Sequence, residues 1–381
     1  MTALPADPVL PRYGEASLDA VATSVLASLG VPAEPNPLRL APADRACLLV
    51  VDGLGWELLS AHPAAAPFLS ELARNAVAVT AGFPATTATS LASLGTGRPP
   101  GQHGMLGYQV AIPGQNALLN ALRWDAAVDP REWQPGSTIF ERAAAAGVAC
   151  FRVAPGAYQN TGLSVAAMRG ARYLPADTAG ALVSRAAWAM AEAGDAVPAL
   201  VSVYYGDLDA TGHTLGCGSD AWQYQLAYVD KLAEQLAGAL PHGTVLHIVA
   251  DHGMTDVPEA DRVDADAVPG LRNGLALLGG EARARHLYCV PGAAGDVLAT
   301  WSEVLSDRFW VLGRDQAVAD GWFGSVDDRF ARRIGDVLVA PRGQGAVVAT
   351  RTEPRESRLA GMHGSLTAAD QLVPFVTLAL N

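Results

Sequence analysis

The sequence predicts an α/β fold with a central, mainly parallel sheet, helices on both faces and an inserted cap. Three observations carry that prediction. Continuous apolar runs of strand length recur along the chain, helical stretches separate them, and several runs stop at an Asp or Gly, as buried parallel strands do where they give way to loops. The first run is ACLLVV at 46–51, stopping at Asp52-Gly53. Further runs lie at 77–80, 148–153, 200–204 and 245–250, with helical stretches at 138–146 and 221–240 between them. From 258 to 333 the pattern loosens into an acidic stretch containing Gly and Trp, and strand-like runs resume at 336–340 and 346–349. The expected organisation is an N-terminal extension at 1–40, a core at 41–257 and 334–381, and an inserted cap at 258–333.

Composition narrows the function. Of 381 residues 50% are hydrophobic and 17% charged, which excludes a disordered chain. Acids outnumber bases 38 to 26 for a net charge of -12, and Lys231 is the only lysine, so a nucleic-acid groove is not expected. Cys47, Cys150, Cys217 and Cys289 have no C-x-x-C spacing, which argues against a zinc ribbon or disulfide framework and for buried thiols. The first thirty residues lack a basic start followed by an apolar run, and no segment reaches the roughly 18 apolar residues of a membrane span. A soluble, cytoplasmic protein without a membrane partner is the expectation.

In open α/β sheets ligands bind beyond the carboxyl ends of the strands. Asp52 follows the first strand, Gly206-Asp-Leu-Asp209-Ala-Thr-Gly-His213 follows the run ending at Tyr204-Tyr205, and Asp251-His252-Gly253-Met254 follows the run ending at Ala250. Near the end stands Gly361-Met-His363-Gly-Ser365. An Asp before Gly is commonly a turn, and a lone His is commonly a packed residue. Here the acids and imidazoles cluster just after predicted strands, and oxygen from Asp with nitrogen from His is a donor set for zinc or a similar divalent ion. His62, His103, His242, His247 and His286 lack that setting. A second constellation runs from Gly82 through PATTATS to Ser90 and on to Arg98-Pro-Pro-Gly-Gln-His-Gly104. It places hydroxyls at a helix start, where unpaired N–H groups hold an anion or serve as an ordinary cap.

Together Asp52, PATT87, the TG-x-x-P-x-x-HG run at 96–104, D-x-x-G-H at 209–213, DHGM at 251–254 and HGS at 363–365 resemble the alkaline phosphatase superfamily. The match is to its nucleotide pyrophosphatase/phosphodiesterase type, from about Ala46 to the end. The resemblance implies two Zn2+, or other divalent ions, one held by Asp209, His213 and His363 and the other by Asp52, Asp251 and His252. It implies Thr87 as a nucleophile that also touches the second ion. A threonine hydroxyl is too weak an acid to ionise at neutral pH unless a cation lowers its pKa. A covalent phospho-Thr87 intermediate follows. Thr86 and Thr89 are neighbours able to claim the role, and the family pattern favours Thr87, three residues after Pro84.

Two departures bear on substrate. The family's diesterases usually carry a base-stacking aromatic directly after the nucleophile, where this chain has Ala88. They also carry an asparagine past the HG pair, and here Tyr108 occupies that position as a possible donor to the phosphoryl group. No lysine stands near the motifs, so Arg98, Arg123 or Arg152 would have to clamp a monoester dianion, which favours diesters. Tyr158, Tyr204, Tyr205, Trp124 and Trp133 are pocket or core aromatics.

The expected function is metal-dependent hydrolysis of small phosphate diesters or pyrophosphate bonds, with a phosphate monoesterase or phosphosugar mutase as alternatives. A metal-binding module without turnover fits less well. Asp52-Gly-Leu-Gly-Trp-Glu-Leu58 lacks the third glycine of a dinucleotide fingerprint. No G-x-S-x-G elbow is present, and Thr87-Ala-Thr-Ser does not fit a sulfatase.

Overall fold

A computed structural model describes residues 7–194 and 196–380. Residues 1–6 of the expected N-terminal extension, and Asn381, lie outside the described residues. A seven-stranded sheet runs in the order Val77–Thr80, Leu372–Ala379, Thr244–Ala250, Arg45–Val51, Ala199–Tyr205, Ala149–Ala154, Arg172–Pro175. Leu372–Ala379 is antiparallel to both neighbours, and the other strand pairs in the sheet are parallel. The central strands are apolar over nearly their whole length because helices cover the sheet, as in Ala199–Tyr205, where every residue is buried.

The parallel register positions the site. Val51 lies opposite Tyr205 on one side and Ala250 on the other, so Asp52, Gly206 and Asp251 leave the sheet together at its carboxyl edge. The helix Leu18–Ser28, in the segment expected as an extension, contributes Leu18, Val21, Val25 and Leu26 to the main core. Thr138 caps the helix Ile139–Ala145 in a capping box with Glu141, and Ser219 caps Asp220–Ala239.

Within 258–333 the chain builds most of a second, four-stranded antiparallel sheet, in the order Leu275–Glu281, Ala284–Cys289, Val337–Pro341, Phe309–Gly313. The helix Ala294–Leu305 covers it through buried Val297, Trp301 and Leu305, a four-residue spacing that makes one helical stripe. The later runs do not rejoin the large sheet. Val337–Pro341 pairs inside the small one, and Ala346–Val348 pairs with Arg262–Asp264. Arg283 and Asp370 tie this unit to the chain end through a fully buried ion pair with nitrogen–oxygen distances of 3.0 and 2.6 Å. Cys47, Cys150 and Cys217 are buried free thiols, while Cys289 is half-buried. Among the described residues no helix is long and apolar enough to cross a membrane.

Candidate metal centre

Six of the predicted residues converge beyond the carboxyl edge of the large sheet in two adjoining groups, Asp52 with Asp251 and His252, and Asp209 with His213 and His363. The sequence places them there by simple means. Asp52 and Asp251 are the first residues past adjacent strands. Asp209 and His213 lie one turn apart on the helix Asp207–Leu215, so their side chains share a face, with His213 Nε2 3.4 Å from Asp209 Oδ2. Gly53 has a φ of +75°, and a Cβ there would stand 3.0 Å from the Asp209 Cβ; only glycine lets the two segments approach this closely.

The hydrogen bonds fix how each imidazole presents its nitrogens. Nδ1 of His213 faces the Gly361 carbonyl at 2.8 Å, Nδ1 of His252 the Gly253 carbonyl at 3.0 Å, and Nδ1 of His363 the Ala85 carbonyl at 2.9 Å. A carbonyl only accepts, so each Nδ1 carries a proton, and in the neutral ring each Nε2 is left with a lone pair. Those lone pairs converge. His363 Nε2 lies 3.2 Å from His213 Nε2 and 3.9 Å from Asp209 Oδ1. His252 Nε2 lies 3.3 Å from Asp52 Oδ1 and 3.6 Å from Asp251 Oδ2. Asp52 Oδ1, Asp209 Oδ1 and Asp251 Oδ2 are buried without a hydrogen-bond partner.

Lone pairs and carboxylate oxygens crowded together repel unless a proton or a cation stands between them, and a divalent cation in each group would remove that repulsion. Imidazoles with Nδ1–H on a carbonyl and Nε2 free are the usual form of metal-binding histidine. Burial, reinforced by the charges of Asp251 and Asp209, holds the Asp52 carboxyl well above the ordinary carboxylate range. Burial likewise raises Asp251, and burial with His252 and His213 alongside drives His363 well below the usual imidazole range. Asp251 Oδ1 accepts from the Gly53 and His252 amides at 3.1 and 2.9 Å, and Tyr204 donates its phenol to Asp52 Oδ2. The donor set and its hydrogen bonds fit two divalent ions.

Of the three threonines, Thr87 faces this centre. It is the first residue of the helix Thr87–Thr96, and its Oγ1 lies 3.2 Å from His252 Nε2. Thr86 precedes the helix and bonds the Glu281 carboxyl, while Thr89 is fully buried with its hydroxyl unpartnered. Ala88 is buried and does not reach the site.

A cavity of about 490 Å³ opens over the centre, lined by Thr87, Tyr108, Arg123, Asp209, His213 and His363 among others. A second, of about 230 Å³, is lined by Asp52, Thr87, Asp209, Trp124, Arg152 and Tyr204 among others. Tyr158 lines both. Tyr205 is buried and bonded to Gln225, Trp133 packs under the Arg333 guanidinium, and Arg98 lies outside both cavities. His103, His247 and His286 are buried away from the centre. Glu281, at the end of a small-sheet strand, lines the larger cavity with Oε2 3.6 Å from His363 Nδ1. No motif or spacing marks it, because its position depends on how the small sheet folds over the large one.

The model of the family described as type I phosphodiesterase / nucleotide pyrophosphatase matches residues 46–366. No curated protein matches the chain. Among solved structures, murine ectonucleotide pyrophosphatase/phosphodiesterase 5 is similar at 17% identity and a TM-score of 0.68, covering 87% of each chain. An inactive threonine-to-alanine variant of that protein in complex with AMP gives 18%, 0.68 and 88% of each chain. The human protein of the same name gives 19%, 0.67 and 87% of each chain. At these identities the likeness is one of fold.

Proposed function

Since this chain belongs to the type I phosphodiesterase / nucleotide pyrophosphatase family of the alkaline phosphatase superfamily, and is a hydrolase of that kind, we propose that it cleaves small phosphate diesters or pyrophosphates with Thr87 as nucleophile beside two zinc ions. Asp209, His213 and His363 would hold one ion, and Asp52, Asp251 and His252 the other. The observation that carries this is the gathering of three imidazole Nε2 atoms and three aspartate oxygens into two adjoining groups, with the Thr87 hydroxyl 3.2 Å from His252 Nε2 in one of them.

Bound divalent cations supply ionisation of the Thr87 hydroxyl and screening of the phosphoryl charge. The protein's own groups do the rest. Thr87 opens a helix, so amide N–H groups of that first turn face the phosphoryl oxygens. The Thr87 oxygen forms a bond to phosphorus as the bond to the leaving oxygen breaks, giving a phosphoryl ester on Thr87 that water then hydrolyses. Tyr108, in the cavity wall, donates a hydrogen bond to a phosphoryl oxygen. The Gly361, Gly253 and Ala85 carbonyls keep the three imidazoles in the tautomer that leaves Nε2 free.

A diester carries one charge at phosphorus and needs less cationic help than a monoester, which accords with a centre that has no lysine. Arg123 in the larger cavity is the observation that favours a monoesterase as second reading. Nucleotide esters are among the proposed substrates, since a similar protein was solved with AMP, although Ala88 offers no ring for a base. The free thiols accord with a cytoplasmic setting. Parallel rates on a chromogenic diester, monoester and sulfate ester, with zinc, with chelator and with Thr87→Ala, test the proposal. Zinc-dependent turnover greatest on the diester and lost in Thr87→Ala is expected; a monoester preference would favour the second reading.

A further inference from the structure

Among the described residues, Arg152 is buried without a counter-charge. It lies in the strand Ala149–Ala154, 3% exposed, and its register partner is Ser202, whose Oγ stands 3.4 Å from Nη1. Nε has no hydrogen-bond partner, and the guanidinium carbon is 5.8 Å from the centroid of the Tyr204 ring. Among the described residues it forms no ion pair, whereas the equally buried Arg283 and Arg285 pair with Asp370 and Glu353. A guanidinium stays charged at any physiological pH, so leaving it buried and uncompensated is costly and calls for a function.

The surroundings name one. Arg152 lines the smaller cavity together with Asp52, Thr87 and Asp209 and with the apolar Leu91, Trp124 and Leu163. A molecule with its phosphoryl group at Thr87 can therefore extend between apolar walls toward the guanidinium. We propose that this cavity is a subsite for a second anionic group of the substrate, a carboxylate or a phosphate, with Arg152 as its counter-ion. The inference rests on the reading that the reacting phosphoryl sits at Thr87, and it narrows the substrates to phosphate esters with a further anion on the group next to phosphorus. A planar fork of donors suits either anion, and hydrogen bonds between charged groups are the strong ones.

Binding to the zinc-loaded protein tests this without turnover. Phosphonocarboxylates with one to three methylenes between phosphorus and carboxylate, and bisphosphonates of the same lengths, are titrated calorimetrically against propylphosphonate. One spacer length should bind about tenfold or more tighter than propylphosphonate, and the better of the two series identifies the anion. In Arg152→Met that advantage should vanish. The Tm should not fall, because a charge without a partner has been replaced by an apolar chain, whereas a merely structural arginine would lower it. Equal affinity for all probes in the wild type would overturn the subsite, and so would an Arg152→Met loss shared equally by propylphosphonate. Should that variant not fold, the wild-type series alone decides. Wild-type turnover of bis(para-nitrophenyl) phosphate reads the parent proposal separately: turnover with a flat series rejects only the subsite, and a discriminating series without turnover rejects the parent reading and, with it, the claim that the second anion belongs to a phosphate-ester substrate.

Discussion

His213 and His363 point their Nε2 atoms at each other across 3.2 Å, while the Nδ1 of each is committed to a backbone carbonyl. Two lone pairs held that close repel unless a cation lies between them and the Asp209 carboxylate. Removing metal should therefore destabilise the fold around the helix Asp207–Leu215 and the Gly361–Met362 strand. At free zinc a thousand times its Kd, binding adds about 4 kcal/mol per site. Chelation should lower the Tm measurably and zinc should restore it; a Tm indifferent to chelator in freshly purified protein would contradict the metal assignment.

Tyr204 donates to Asp52 from within the sheet, orienting one carboxylate of the second group. Outer hydrogen bonds of this kind are typically worth 10–100-fold in metal affinity. Tyr204→Phe should weaken one of two zinc-binding events by roughly that factor and leave the other unchanged, as competition titration with a chromophoric chelator would show. Equal weakening of both events would mean that the phenol acts on the fold as a whole.

The three threonines separate cleanly. Thr87→Ala should cut diester turnover roughly 10³-fold or more while retaining metal, since it removes the attacking oxygen. Thr89→Ala removes a buried hydroxyl that has no partner, so its stability should change by less than about 1 kcal/mol and its turnover little. A Thr89→Ala variant as inactive as Thr87→Ala would move the nucleophile.

The Arg283–Asp370 pair is fully buried, and Asp370 also accepts from the Ser365 amide at 3.1 Å. Asp370→Ala strands a guanidinium in the interior and should cost about 3–5 kcal/mol by urea denaturation. Replacing both partners with apolar residues of similar volume should recover much of the loss. Additive losses in the double variant would argue against pairing as the source.

His247 is buried, with Nδ1 3.0 Å from Thr377 Oγ1 and its ring stacked 5.7 Å from that of Phe375, and burial pulls its pKa down to about 4. An unfolded histidine titrates near pH ~6.5. Below that pH the unfolded chain binds a proton the folded chain refuses, so stability linked to His247 is complete above about pH 6.5 and declines as pH falls toward 4. His247→Gln should be less stable than wild type at neutral pH, with the gap closing on acidification by at most about 1.4 kcal/mol per pH unit. A gap constant from neutral pH to about pH 5, measured by denaturant titration, would refute the linkage.

Much of the centre was legible because its residues follow strand ends. Runs such as 46–51 and 245–250 terminate at acids, parallel register aligns those ends, and the i, i+4 spacing of Asp209 and His213 needs only a helix. The small sheet was not legible. Leu275–Glu281 reads LALLGGE with a glycine pair near its end, Ala284–Cys289 carries Arg and His among its apolar residues, and the helix stripe rests on only three buried residues. Val337–Pro341 was expected in the main core because an apolar run does not say which sheet it joins. The placement of Glu281 beside His363, and of Arg152 beside the smaller cavity without an ion pair among the described residues, are properties of packing that no spacing encodes.

The most direct test of Thr87 chemistry at this centre is trapping the covalent species. Zinc-loaded enzyme turning over a slow phosphate diester is quenched in acid, digested and analysed by tandem mass spectrometry. A phosphoryl ester of the substrate on Thr87, absent with chelator and absent in Thr87→Ala, is the predicted result. Zinc-dependent turnover with an adduct on Thr86 or Thr89, or with no adduct under conditions where its hydrolysis is rate-limiting, would contradict it.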